Sequence, residues 1–158
     1  MKERQDYAVL KDNLVLGIPV IDAQHANLMR ITDNLLFTCQ KGVETVNCRF
    51  IRAVEEAIDY LAYHYKTQEK LMLLLGYPDF HDHQREHEDF LLKAISRCKQ
   101  FQEEHDDIDP EKFVYFLKEG IFSHAVDLDK AFSVFLMAMK HHDKLRLILS
   151  SQLSTQSA

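Results

Sequence analysis

Cysteine is scarce and poorly spaced for chemistry. Cys39, Cys48 and Cys98 are odd in number and show no CxxC spacing, which argues against a disulfide framework and against a thiolate zinc site. They read as buried or neutral thiols in a reducing cytoplasm. Nowhere do eighteen apolar residues run together, so no membrane helix is expected. The opening MKERQDYAVLKDNLVLGIPVID also lacks the apolar stretch and small-residue cleavage site of a signal peptide. Positive charge is short as well: 19 Lys and Arg stand against 25 Asp and Glu, giving a net charge of -6. No basic patch gathers to meet phosphates, so a nucleic-acid surface is not expected. Strand alternation, long repeats and low-complexity linkers are missing too. What remains is 158 residues, 46% hydrophobic and 28% charged, an ordinary composition for one soluble cytoplasmic domain with one core.

The apolar residues that are present recur at helical spacing. Residues 1–19 hold no lasting period and contain Gly17 and Pro19, so an extended arm packed on the body is expected there. From Val20 onward, Ile21, His25, Leu28, Met29, Thr32, Leu35 and Leu36 form one stripe, with Asp22 as a candidate cap. The polar CQKGVETVN makes a loop. A second helix is expected from about Arg49 to Leu75, and a third from about Asp79 to Glu104 with Phe90, Leu91, Ala94, Ile95, Cys98 and Phe101 inward. Gly76, Tyr77 and Pro78 reverse the chain between them. Asp109 as N-cap and Pro110 as first residue open a fourth helix, and apolar residues persist past a bend into a fifth. The expected fold class is all-α: an antiparallel up-down-up-down four-helix bundle with an N-terminal arm and a C-terminal helical extension.

The nine histidines are not scattered evenly along this pattern. The stretch His64 to His87, HYKTQEKLMLLLGYPDFHDHQREH, holds four of them. His83 and His87 are spaced i, i+4, on one helical face within reach of a single ion, and His64 and Gln68 repeat that spacing upstream. His25 falls on the stripe of the first helix, and His124 with Asp127 and Asp129 on the fourth. Five histidines are more than one ion ordinarily uses, whereas two adjacent ions sharing a carboxylate accommodate them and leave an open position. Such donors suit Fe, Zn, Cu or Ni, not Mg or Ca. On an ideal helix Asp127 lies nearer His124 in angle than Asp129 does, since five residues advance by about 140°. His81, His105, His141 and His142 read as surface or loop residues, and Tyr65, Phe80 and Phe90 as bundle core.

These segments resemble the hemerythrin family, in particular its bacterial single-domain branch. The resemblance is carried by GIPVIDAQHANL, HYKTQEKLM, GYPDFHDHQREHEDF and HAVDLDK, which together span residues 16 to about 132. One domain is expected over 1–158, with a core of about 16–140, an arm over 1–15 and a frayed tail over 150–158. The resemblance implies a non-heme diiron centre that binds dioxygen reversibly and is not an enzyme. His83, His87 and His124 would hold one iron, His25 and His64 the other, and Asp129 would bridge them. Two functions of other classes stand beside it: a diiron redox enzyme acting on peroxide or nitric oxide, and a bundle keeping a single structural metal.

Two positions depart from the family pattern. Gln68 stands where a bridging glutamate is expected, and its amide is a neutral, weaker donor. Glu69 points about 100° away on the helix, too far round to take its place. Gly120 stands where a tryptophan is usual, which is expected to open the pocket unless Phe116 or Phe122 fills it.

Overall fold

In the computed structural model, which describes residues 14–41, 48–103 and 109–139, every regular element is helical. Helix α1 spans Pro19–Gln40, α2 Cys48–Leu75, α3 Phe80–Glu103 and α4 Pro110–His124. One π-helical turn, Ala125–Asp129, then joins α4 to α5, Lys130–Ala138. Helix α1 packs on α2 and α4, α2 on α3, and α3 on α4, which closes the four-helix bundle expected from the sequence. His105, His141, His142 and the tail 150–158 lie outside the described residues, as does the arm apart from Leu14 and Val15. No helix among the described residues is long and apolar enough to cross a membrane.

Local chemistry sets the helix ends. At the close of α2, Gly76 takes φ +67°, and the Gly76 and Tyr77 amides donate to the carbonyls of Leu73 (3.3 Å) and Met72 (2.9 Å). That satisfies the last carbonyls of α2 and turns the chain into α3. Asp109 caps α4, its carboxylate accepting from the amides of Glu111 (3.0 Å) and Lys112 (3.5 Å), with Pro110 at the first position. The start of α1 differs from expectation. Pro19 does not break the helix but begins it, because a first-turn residue has no amide bond to lose. Asp22 does not cap the helix's own amides either: its carboxylate reaches back to those of Leu16 (2.7 Å) and Gly17 (3.1 Å).

Where a bend is expected before the fifth helix, the chain makes a π turn. Ala125 and Lys130 both keep right-handed helical backbone, and the Lys130 amide donates to the Ala125 carbonyl five residues back. Helical backbone continues through this point, widened for one turn. Ile95, expected inside, is 41% exposed, because only Ala94, Cys98 and Phe101 of that stretch face the neighbouring helices squarely.

The core divides into two apolar ends. One gathers Leu35, Phe50, Val54, Phe101, Phe113 and Leu117, and the other Ile18, Ile21, Met72, Tyr77, Phe132 and Leu136. Between them lies a buried polar layer of His25, His64, Gln68, His83, His87 and Asp129. Apolar packing on both sides holds these groups out of water, which strengthens every electrostatic interaction among them.

Candidate metal centre

The polar layer is built from all four helices of the bundle. His25 comes from α1, His64 and Gln68 from α2, His83 and His87 from α3, and His124 from the end of α4. Asp129 closes the π turn, and that turn answers the geometric conflict in the sequence. Five residues of a widened helix bring Asp129 back over His124, fully buried, while Asp127 is exposed beside Ser123. The ideal-helix preference for Asp127 fails because the helix is not ideal there.

Asp129 is the centre of the arrangement. Its Oδ2 lies 3.0 Å from His25 Nε2, and its Oδ1 lies 3.2 Å from His83 Nε2 and 3.1 Å from His124 Nε2. Two metal-capable groups result, His83, His87, His124 and Asp129 in one and His25, His64 and Asp129 in the other, the ligand atoms of each within 4.8 Å of one another. All six expected histidine and aspartate positions come together. Gln68 joins them at one remove, its Nε2 donating to Asp129 Oδ1 at 2.6 Å, while its buried Oε1 finds no partner among the described residues.

The outer ring nitrogens explain how the inner ones are aimed. His25 Nδ1 donates to the Leu14 carbonyl at 3.0 Å, His64 Nδ1 to Gln24 Oε1 at 3.0 Å, and His87 Nδ1 to Glu69 Oε1 at 2.9 Å. Each acceptor draws the proton to Nδ1 and leaves the Nε2 lone pair facing inward, the tautomer a metal requires. Gln24 is itself held through Nε2 by Thr67 Oγ1 at 3.3 Å. On the three-histidine side, His124 Nε2 stands 3.0 Å from His83 Nε2 and 2.9 Å from His87 Nε2. Three imidazole nitrogens and a carboxylate oxygen meeting at one point repel unless a cation lies among them, so the donor set fits a metal.

Electrostatics divide the layer. Burial disfavours a charged His25, yet the hydrogen bond and charge of Asp129, aided by the Leu14 carbonyl, outweigh it and hold its pKa above the ordinary value. His64 is held well below the usual range by burial and by His25. Burial, with His124 and His83 nearby, pushes His87 down to about 2. Burial alone would raise Asp129, but hydrogen bonds from His124, His25 and His83 keep it ionised well below the usual carboxylate range.

Sequence reasoning missed the contacts that Gln24 and Glu69 make with the ligand histidines. Gln24 had a signal, since it lies three residues from Ile21 and four from Leu28 on the buried stripe, where an unpaired amide is costly. Glu69 does not stand in for Gln68, as its position on the helix requires, but it does reach the outer nitrogen of His87. The space beside Gly120 is filled by neither Phe116 nor Phe122. A Cβ at Gly120 would collide with the Phe90 ring edge, so Phe90 from α3 occupies the place of a larger residue. Phe116 packs behind it at 5.3 Å between ring centroids, and Phe122 packs instead near Leu14 and Met29.

Fold and site together define a helical-bundle protein with a histidine and carboxylate metal centre. The chain belongs to the hemerythrin family of non-heme iron, oxygen-binding proteins: the family model "Hemerythrin HHE cation binding domain" matches residues 16–136. It is similar to the bacteriohemerythrin of Stenotrophomonas maltophilia, 30% identical over 125 residues that cover 79% of this chain and 78% of the relative. The bacteriohemerythrin of Pseudomonas paraeruginosa is 32% identical over 118 residues, covering 75% and 74%. A crystal structure of wild-type hemerythrin superposes with a TM-score of 0.65 over 73% of this chain and 86% of that one, at 22% identity, a likeness of fold.

Proposed function

We propose that this chain holds two irons in its polar layer and binds dioxygen reversibly there, for storage, delivery or sensing. His83, His87 and His124 take one ion, His25 and His64 the other, and Asp129 serves both. The five imidazoles are shared unequally, three to two, so the ion on His25 and His64 keeps the open position. The observation that carries this reading is the single buried carboxylate common to two ligand groups. Iron, when bound, supplies the electrons that dioxygen takes up and returns.

The chain's own residues do the remaining work. Leu14, Gln24 and Glu69 fix the tautomers of His25, His64 and His87, respectively, through their outer nitrogens. Leu28, Leu61 and Ile121, all buried, keep water from the side where His64 lies, which slows irreversible oxidation. Elemental analysis paired with visible spectra tests the proposal. Two irons per chain and an absorption that appears in air and reverses on deoxygenation are expected. Peroxide or nitric oxide turnover beyond one equivalent would move the protein to the enzymes.

Gln68 favours a second reading, a centre that keeps one ion firmly and the other loosely. Its neutral amide occupies the position of a second bridging carboxylate and spends a hydrogen on Asp129. One tightly held metal per chain, with no oxygen-dependent colour, would support that form.

A further inference from the structure

Tyr65 follows His64 directly on α2, so one stretch of helix positions a ligand of the two-histidine group and a phenol together. Its ring lies flat on His87, with centroids 3.7 Å apart and planes 12° from parallel. It also lies 5.6 Å from the His64 ring and 5.3 Å from that of His124. The phenol therefore stands against both ligand groups at once. It is 2% exposed, and its hydroxyl finds no hydrogen-bond partner among the described residues.

A buried tyrosine ordinarily satisfies its hydroxyl, because the desolvated O–H gains nothing by being left alone. Packing does not explain this one, since a phenylalanine would make the same stack on His87. Leu28, Leu61 and Ile121, which pack with the ring, offer no acceptor, and among the described residues no hydrogen bond reaches the hydroxyl from Tyr60, Phe90 or Leu91 at the edge of that cluster. The hydroxyl is a proton donor set in an apolar compartment beside metal-ligating imidazoles, with its partner still to come.

We propose that the Tyr65 hydroxyl donates a hydrogen bond to the small ligand taken up at the His25 and His64 position. This rests on the reading of the centre as an iron site with one open coordination place. The ligand class is a small molecule that carries negative charge when bound, such as dioxygen or azide, because an O–H donor in a dry site favours an anionic acceptor over a neutral one. Tyr65 is then a residue that sets specificity and residence time, leaving iron binding itself to the histidines.

The test compares iron-loaded wild type with Tyr65→Phe, which removes one oxygen and keeps the stack on His87. Azide is titrated into the oxidised proteins and followed by its visible band, and the metal-free proteins are melted in parallel. Equal iron content, azide binding weakened tenfold or more in the variant, faster azide release and a metal-free melting temperature no lower than wild type are the results expected. Azide affinity within twofold of wild type would overturn the proposal. So would a clearly lower metal-free melting temperature, which would mean that the hydroxyl already has a protein partner. A visible band lost from the variant before azide is added would overturn it too, by making the phenolate a ligand. Iron-loaded wild type that gives no azide response would bring down the open-site reading and this inference together, an outcome distinct from an azide response that the variant shares.

Discussion

Gln68 donates its amide hydrogen to Asp129 Oδ1 at 2.6 Å, on the same oxygen that faces His83 and His124. The opposite amide orientation would set two oxygens against each other, so the nitrogen must face the carboxylate. A position where a second anionic bridge is expected therefore acts as a donor to the first bridge. It withdraws charge from the carboxylate that both ligand groups share.

Replacing Gln68 by Glu should reverse both effects. The second iron gains an anionic donor, so iron content should rise toward two per chain and the oxidised form should persist longer. Without metal the same change places two carboxylates face to face, so the metal-free variant should be less stable than wild type while the loaded one is more stable. Iron analysis and melting curves with and without metal check this. Two irons per chain and the same redox behaviour in both proteins would sink it.

The π turn makes a sharper claim about Asp129. Asp129→Asn should lower the affinity of both metal positions, because the shared anion is lost, and bound iron should fall below one per chain. Asp127→Asn, on the exposed side of the same turn, should leave iron content unchanged. If the two variants behave alike, the widened turn does not set which aspartate faces the histidines.

Much of this was legible in the sequence, and what was not has physical reasons. Helix positions, the Asp109 cap and the Gly76 turn follow from short-range chemistry that acts within a few residues. The histidines were legible because i, i+4 spacing and an apolar stripe leave few faces for them to occupy. Asp129 was not legible from periodicity, since an ideal helix points it elsewhere, and only the family resemblance chose it over Asp127. Glu69 and Gln24 act across helix pairs, on ring nitrogens whose direction depends on packing. Phe90 fills the space beside Gly120 from another helix, which no pattern within α4 reveals.

The metal-free protein should lose stability as pH falls from 7 to 5. Burial and nearby imidazoles hold His64 and His87 below their ordinary values. Between their folded pKa values and the unfolded value of about 6.5, the unfolded chain binds protons that the folded chain refuses. Stability is therefore full above about 6.5 and declines below it, by up to roughly 1.4 kcal/mol per pH unit for each of the two. His25 acts in the opposite sense, its contribution fully present below about 6.5 and lost as pH rises through its raised folded pKa, so it offsets nothing below about 6.5. The depressed Asp129 adds its loss only below about 3.9. Urea unfolding of the metal-free protein at pH 7, 6 and 5 measures this, and equal stability at all three would refute it.

Gly120 offers a test of packing that does not depend on metal. In a helix interior Gly→Ala ordinarily gains about 1 kcal/mol of propensity. Here the new methyl meets the Phe90 ring edge, and overpacking costs about 1–3 kcal/mol. Phe90 is only half-buried and meets the new methyl with the far end of its ring; Phe116 packs against that ring, and Phe90 also lines a cavity of about 370 Å³ with Glu86, Ser123 and His124. The ring moves at a cost near the low end of that range, so Gly120→Ala should destabilise by up to about 1 kcal/mol. In a Phe90→Ala background the collision is gone and only the propensity gain is left, so the same substitution should stabilise by about 1 kcal/mol. Urea unfolding of the four proteins closes the cycle. A coupling energy near zero would mean that Phe90 does not hold the place beside Gly120, and that the space next to His124 is open for some other reason.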